Sequence, residues 1–78
     1  MISACVLVRS VHGMFDEVVK KISQIKGVQK IFTVLGRYDV VVDFSTTDMS
    51  TLGKAVLKMS RLAGVVFTET LVEVKEEG

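Results

Sequence analysis

Leu35-Gly36-Arg37-Tyr38-Asp39 gathers more usable chemistry than any other stretch of this 78-residue chain. Glycine permits a positive φ or a close backbone approach. A cation, an amphipathic aromatic and a carboxylate follow it directly. Such a set can hold a zwitterion, with Asp39 taking the ammonium and Arg37 or free backbone N–H groups taking the carboxylate. It can equally be a solvated hairpin turn whose charges serve solubility. The other reactive groups are isolated. His12 reads as a solvated loop residue, and Cys5, between Ala4 and Val6, as a small core or interface residue with no adjacent cation to activate it. No nucleophile–base pairing is in view, so no catalytic residue is expected and the chain does not read as an enzyme. His12 and Cys5 are the only soft ligands, which excludes a structural zinc; no metal or cofactor is expected.

Seventy-eight residues make a single domain, 1–78. A domain this small buries only ~60 % of the surface its unfolded chain exposes, so its core is marginal. Small chains offset that deficit with disulfides, a metal or a partner subunit. One cysteine excludes an internal disulfide and fits a reducing compartment. Oligomerisation is what remains, and 49 % hydrophobic residues with a mean hydropathy of +0.45 agree with it. Ten basic and nine acidic residues leave a net charge of +1, without the basic stripe that nucleic acid requires. No apolar run approaches the ~20 residues of a bilayer span. The N-terminus, MISACVLVRS, lacks the positive region of a leader and reads straight into a strand. A cytoplasmic protein with no membrane partner is expected.

The elements that must position the turn follow from periodicity. Ile2 to Arg9 are an apolar, β-branched run of strand length. Met14 to Ile25 switch to helical spacing, with Met14, Val18, Ile22 and Ile25 on one face, and Gly27 closes the helix. Val28 to Leu35 predict a second strand, Gly36-Arg37 a tight connection, and Tyr38 to Phe44 an antiparallel third strand. Thr46, Thr47 and Asp48 are N-cap choices for a helix carrying Met49, Leu52, Val56 and Met59 on one stripe. Gly53 inside that helix suggests close packing. Gly64 ends it, Val65 to Val74 form the last strand, and Lys75 to Gly78 a polar tail. Lys26-Gly27-Val28 and Ala63-Gly64-Val65 give a faint internal repeat. Two βαβ halves of this kind make an α+β, ferredoxin-like βαββαβ fold: a four-stranded antiparallel sheet with both helices on one face.

The other face should be polar in a monomer, yet every strand keeps apolar residues on both sides. Strand one sets Ala4, Val6 and Val8 against Cys5 and Leu7; strand two sets Val28, Phe32 and Val34 against Ile31, Thr33 and Leu35. Strand three sets Val40, Val42 and Phe44 against Val41, Asp39 and Asp43; strand four sets Phe67 and Leu71 against Val66, Thr68, Thr70 and Val72. An apolar patch of that extent marks an interface, and two-fold pairing of like faces is its commonest solution. A homodimer packed sheet against sheet is expected.

With these residues in place, the chain resembles the effector-binding (RAM) domain of the Lrp/AsnC, or feast/famine, transcription regulators. Gly36-Arg37-Tyr38-Asp39 followed by Val40-Val41-Val42 is similar to that family's GxYD hairpin. Lys26-Gly27-Val28-Gln29 and Leu62-Ala63-Gly64-Val65, leading to Thr68-Glu69-Thr70-Leu71-Val72, match in order and spacing. The resemblance covers nearly the whole chain. It implies sheet-to-sheet dimers, assembly into rings such as octamers, and an amino-acid effector bound between dimers. Gly36, Tyr38 and Asp39 correspond to the turn lining that pocket, and Thr68 and Thr70 to the threonine-bearing last strand beside it. Arg37 occupies a variable position, and its ligand role comes from its charge alone. Unlike the full regulators, the sequence begins its first strand at Ile2 with no helix-turn-helix before it, so direct DNA reading is not expected. Joining full-length relatives through the same interfaces is open to it.

Rival readings share the fold. An amino-acid-binding domain of the ACT type would use a glycine after strand one, and Gly13 could serve. A small dimeric barrel enzyme, of monooxygenase or isomerase type, would need a buried titratable group among Cys5, Thr33, Asp43 and His12. An acylphosphatase would need a phosphate loop, of which Arg9-Ser10-Val11-His12-Gly13 is a loose imitation. An RNA-binding module would stack bases on aromatics of strands one and three, which here carry Cys5, Leu7, Val41 and Asp43.

Overall fold

The computed structural model describes residues 1–74, so the tail from Lys75 to Gly78 lies outside the described residues. The elements run β1 (Ile2–Ser10), α1 (Phe15–Ile22), β2 (Val28–Thr33), β3 (Val40–Thr46), α2 (Met49–Ser60) and β4 (Val65–Val72). All strands join one antiparallel sheet in the order β2-β3-β1-β4, the ferredoxin-like arrangement that the alternation of strand and helix predicts.

Alternation along β1 and β3 sets the core. Ala4, Val6 and Val8 face the helices beside Val40, Val42 and Phe44, and all are buried. Val18 and Ile22 of α1 and Leu52, Ala55 and Met59 of α2 close over them. Fully burying an aliphatic or aromatic side chain of this size contributes roughly 2 kcal/mol, so these few residues carry most of the hydrophobic stabilisation. Met14 lies half-buried at the edge of the core, whereas Met49, expected within it, is exposed at the first turn of α2.

Helix ends are fixed by local hydrogen bonds. Asp48 caps α2: its Oδ1 accepts the Thr51 N–H at 2.8 Å and its Oδ2 the Thr51 hydroxyl at 3.2 Å. The Thr51 N–H above all holds this carboxyl below its ordinary range. The cap's contribution is therefore present above the ordinary aspartate pKa and is lost as the pH falls through the lowered value. Helix α1 stops at Ile22 and not at Ile25. The Ser23 hydroxyl donates back to the Lys20 carbonyl at 2.7 Å, and Ile25 N–H turns to the Ile22 carbonyl at 2.9 Å. The repeat is geometric: Val28 N–H bonds Ile25 O as Val65 N–H bonds Leu62 O, around Gly27 and Gly64 at φ +105° and +95°.

Two further expectations change. A register shift between Val28 and Lys30 places Val28 and Ile31 on the same, helix-covered face and turns Phe32 to the open face, so simple alternation along β2 fails. Gly53 packs against nothing: a Cβ there would meet no atom within 4 Å. Gly27 is the most crowded glycine, where a Cβ would lie 2.5 Å from the Phe44 ring and 3.1 Å from the Ser45 carbonyl oxygen. Thermal unfolding should accordingly show Gly53→Ala stabilised by about 1 kcal/mol and Gly27→Ala destabilised by about 3 kcal/mol. Equal effects at the two positions would contradict this packing.

Candidate ligand-binding site

The turn after β2 is longer than a tight hairpin. β2 ends at Thr33 and β3 begins at Val40, and Val34 N–H closes the loop on the Asp39 carbonyl at 2.9 Å. Gly36 holds φ +147°, which a side chain would strain. The loop leans across the end of β1. Asp39 donates its N–H to the Val8 carbonyl at 2.9 Å, and its Oδ2 accepts the Ser10 N–H at 2.8 Å. Arg9 Nη1 donates to the Arg37 carbonyl at 2.6 Å.

Tyr38 reaches past β1 to β4. Its hydroxyl donates to Glu69 Oε2 at 3.0 Å, and its ring meets Phe67 edge-on, centroids 5.7 Å apart and planes at 71°. Desolvation pushes the Tyr38 phenol up first, then the Glu69 hydrogen bond and charge, against the opposing charge of Arg37. Below the loop lies a concavity of 240 Å³ lined by Phe15, Thr33, Val34, Leu35 and Asp39. Its volume falls under the ~300 Å³ at which drug-sized pockets begin, which suits a smaller ligand. Leu35 at its rim is fully exposed and Phe15 is half-exposed. Asp39 is the charged group in this otherwise mostly apolar lining. Of its two carboxylate oxygens only Oδ2 accepts a hydrogen bond among the described residues, so Oδ1 remains for a cationic group.

The structure places Gly36, Arg37, Tyr38 and Asp39 at one end of the sheet, but of the four only Asp39 lines the concavity, and Tyr38 turns instead to Phe67 and Glu69 on the open face. It does not bring Thr68 and Thr70 to them. These pair with Val8 and Val6 on the helix-covered face, whereas Phe67 and Glu69, opposite Arg9 and Leu7, occupy the open face that Tyr38 touches. Phe15, Val34, Arg9, Phe67 and Glu69 join the site's surroundings without having been singled out. The loop path that carries Tyr38 over β1 to β4 leaves no local mark in the sequence.

Other candidate chemistry fares less well. The Cys5 thiol is pushed up, by partial burial first and by Asp43 second, which works against a nucleophilic thiolate. Cys5 and Asp43 share a 460 Å³ concavity with Leu71 and Glu73 at the opposite end of the sheet. In the first loop the Ser10 N–H is taken by Asp39, Val11 N–H by the Gly64 carbonyl and Met14 N–H by the Val11 carbonyl, which leaves little of an anion cradle. Gly13 is open, with nothing within 4 Å of a Cβ. The aromatics of the open face, Phe32 and Phe67, stand on the outer strands. No helix is long and apolar enough to cross a membrane among the described residues.

The βαββαβ elements form a four-stranded ferredoxin-like sheet with a small concavity, carrying the charge of Asp39, at its hairpin end. The sequence profile of the Lrp/AsnC ligand binding domain matches residues 3–77, and the chain belongs to that family. No curated protein matches it. A solved structure from Thermus thermophilus is 29 % identical, covers 100 % of this chain and 99 % of its own, and superposes with a TM-score of 0.92. A Pyrococcus horikoshii protein is 25 % identical over 97 % of this chain and 93 % of its own, with a TM-score of 0.87. AsnC of E. coli shares the fold at 13 % identity and a TM-score of 0.88; the match covers 96 % of this chain and 52 % of AsnC, about half its length.

Tyr38 is the only tyrosine and there is no tryptophan, so phenolate absorbance reports this one contact. Spectrophotometric titration should give a pKa above the ordinary value of 10.0, and Glu69→Gln should bring it down. An unchanged titration in Glu69→Gln would show that the Tyr38–Glu69 bond does not form in solution. By linkage, the raised phenol stabilises the loop below its ordinary pKa and loses that effect as the pH rises through the raised value.

Proposed function

We propose that this domain is a non-catalytic, cytoplasmic amino-acid sensor that binds its effector at the Gly36–Asp39 loop and works as an oligomer. One observation carries the reading: Asp39 sets a single carboxylate, with Oδ1 uncommitted, on the wall of a small apolar concavity. An α-ammonium group can take that oxygen while a short apolar side chain enters between Phe15, Val34 and Leu35. The effector's carboxylate is left for Arg37 or for groups of a neighbouring subunit, and the exposed rim at Leu35 supports a site completed between subunits. Membership of a ligand-binding family supports the same conclusion.

The open face supports dimerisation. Phe32, Phe67 and Leu71 are exposed there around the half-buried Leu7 and Val41, with Lys30 and Asp43 facing each other across β2 and β3. In this reading two such faces pack together, dimers assemble into an octamer-like ring, and the ring joins full-length Lrp/AsnC-type regulators. Thr68 and Thr70 lie outside the concavity and would enter the site only from another subunit.

A thermal-shift screen of the twenty amino acids, run with native mass spectrometry, tests the ligand. A raised melting temperature with at least one of them is expected, and it should keep rising with the logarithm of ligand concentration above Kd. Asp39→Asn should remove the shift while keeping an acceptor for the Ser10 N–H, so the apo melting temperature should change little. Normal binding by Asp39→Asn would place the site elsewhere. Light scattering with size exclusion tests the face: the native chain should elute as a dimer or larger, and Leu7→Asp as a smaller species. A native chain monomeric at micromolar concentration would rule out the pairing.

A further inference from the structure

The two helices cover the same face of the sheet but present different surfaces to solvent. α1 is charge-balanced: Asp16 and Lys20, and Glu17 and Lys21, stand four residues apart, the spacing of a self-paired, solvated helix surface. α2 is not. Met49–Ser60 contains no acid, and Lys54, Lys58 and the capping residue Arg61 recur at i, i+4 and i+7, so all three lie along one exposed flank. Asp48, the acid that begins the helix, has both oxygens taken up by Thr47 and Thr51. A helix C-terminus attracts cations, which accounts for Lys58 and Arg61, but Lys54 sits mid-helix, where the macrodipole gives it no support.

Two further features accompany the stripe. Leu57 stands 53 % exposed among the cations, and with Leu62 it lines an open depression of 370 Å³ whose other walls are Lys54, Lys58 and Arg61. One turn before Leu57 lies Gly53, where nothing comes within 4 Å of a Cβ. Glycine in a helix interior costs ~1 kcal/mol relative to alanine, and no packing within the domain accounts for it here.

We propose that the outer face of α2 is a docking surface for an acidic amphipathic helix of a partner protein. Carboxylates of the partner pair with Lys54, Lys58 and Arg61, one apolar side chain enters the depression against Leu57 and Leu62, and the partner's backbone crosses close to α2 at Gly53. Charge complementarity selects this occupant. A second copy of the same helix would bring like charges together, which disfavours self-pairing through α2. A nucleic acid would meet three cations spread over ~10 Å of helix axis, where a duplex-binding protein makes ~6–10 phosphate contacts. An anionic membrane needs a broad apolar helix face, and α2 buries Leu52, Ala55 and Met59 in the domain's own core. None of the residues lining this depression lines the Gly36–Asp39 concavity, so the surface stands whether or not that concavity binds an amino acid.

A synthetic helical peptide with glutamates four residues apart beside a stripe of leucines serves as the probe, titrated into the isotope-labelled full chain. Saturable amide shifts are expected at Gly53, Lys54, Leu57, Lys58 and Arg61, with an affinity that falls as salt is raised. Lys58→Glu combined with Arg61→Glu should weaken binding about tenfold or more. A peptide with lysines in place of the glutamates should bind that double variant and not the native chain. Gly53→Leu should block the glutamate peptide while raising the melting temperature, which separates a blocked surface from an unfolded domain. No saturable binding of the glutamate peptide, or affinity that survives Lys58→Glu with Arg61→Glu, would overturn the proposal. So would equal binding of a glutamate peptide without leucines, or tighter binding of a short DNA duplex or of phosphatidylglycerol vesicles through the same residues. Normal binding by Gly53→Leu would overturn the close crossing at Gly53.

Discussion

Asp39 is fastened to the end of β1 twice, by its own N–H to Val8 and by its carboxylate to the N–H of Ser10. Those bonds keep the loop folded over the sheet. They set the Arg37 carbonyl within reach of Arg9 and carry Tyr38 across to Phe67 and Glu69. They also orient one carboxylate oxygen toward the backbone, so that the other can face the concavity. A backbone N–H to an ionised carboxylate is among the stronger hydrogen bonds. The same side chain therefore holds the loop and supplies its charge, which makes a neutral isostere at position 39 more informative than a truncation.

A second constraint is size. One layer of helices over one sheet gives a core of a few fully buried side chains, among them Phe44, Ile22 and Met59. The open face retains Phe32, Phe67 and Leu71 in solvent, and among the described residues β4 is an edge strand of the sheet. In the proposed reading, a chain with this much uncovered surface would gain stability by association, which would let ligand binding and assembly be coupled through the same loops.

Much of the fold was legible because β1, β3 and the two helices obey simple periods. Val6, Val8, Val42 and Phe44 on one side of the sheet, and Val18, Ile22, Leu52 and Met59 on the helices, follow from counting residues. The failures come where a local irregularity breaks the count. The register shift after Val28 turned Phe32 outward, and the Ser23 hydroxyl shortened α1. Gly53 looked like a packing glycine and touches nothing; Gly27 looked like an ordinary helix stop and is crowded by Phe44. At the site, the Gly36-to-Asp39 motif was visible as residues. Its contacts to Ser10, Phe67 and Glu69 were not, because they depend on the path that the loop from Val34 to Asp39 takes across β1, which no local pattern specifies. The register of β4 on β1 puts Thr68 and Thr70 on the face away from Tyr38.

The central claim is that a small zwitterion occupies the concavity beneath the Gly36–Asp39 loop. Amide chemical shifts of isotope-labelled protein, followed while each amino acid is titrated in, locate the ligand without assuming its identity. The account predicts saturable shifts concentrated at Phe15, Thr33 to Asp39 and the Ser10 amide. Shifts confined to the Cys5–Asp43–Glu73 end of the sheet, or none with any amino acid, would contradict it.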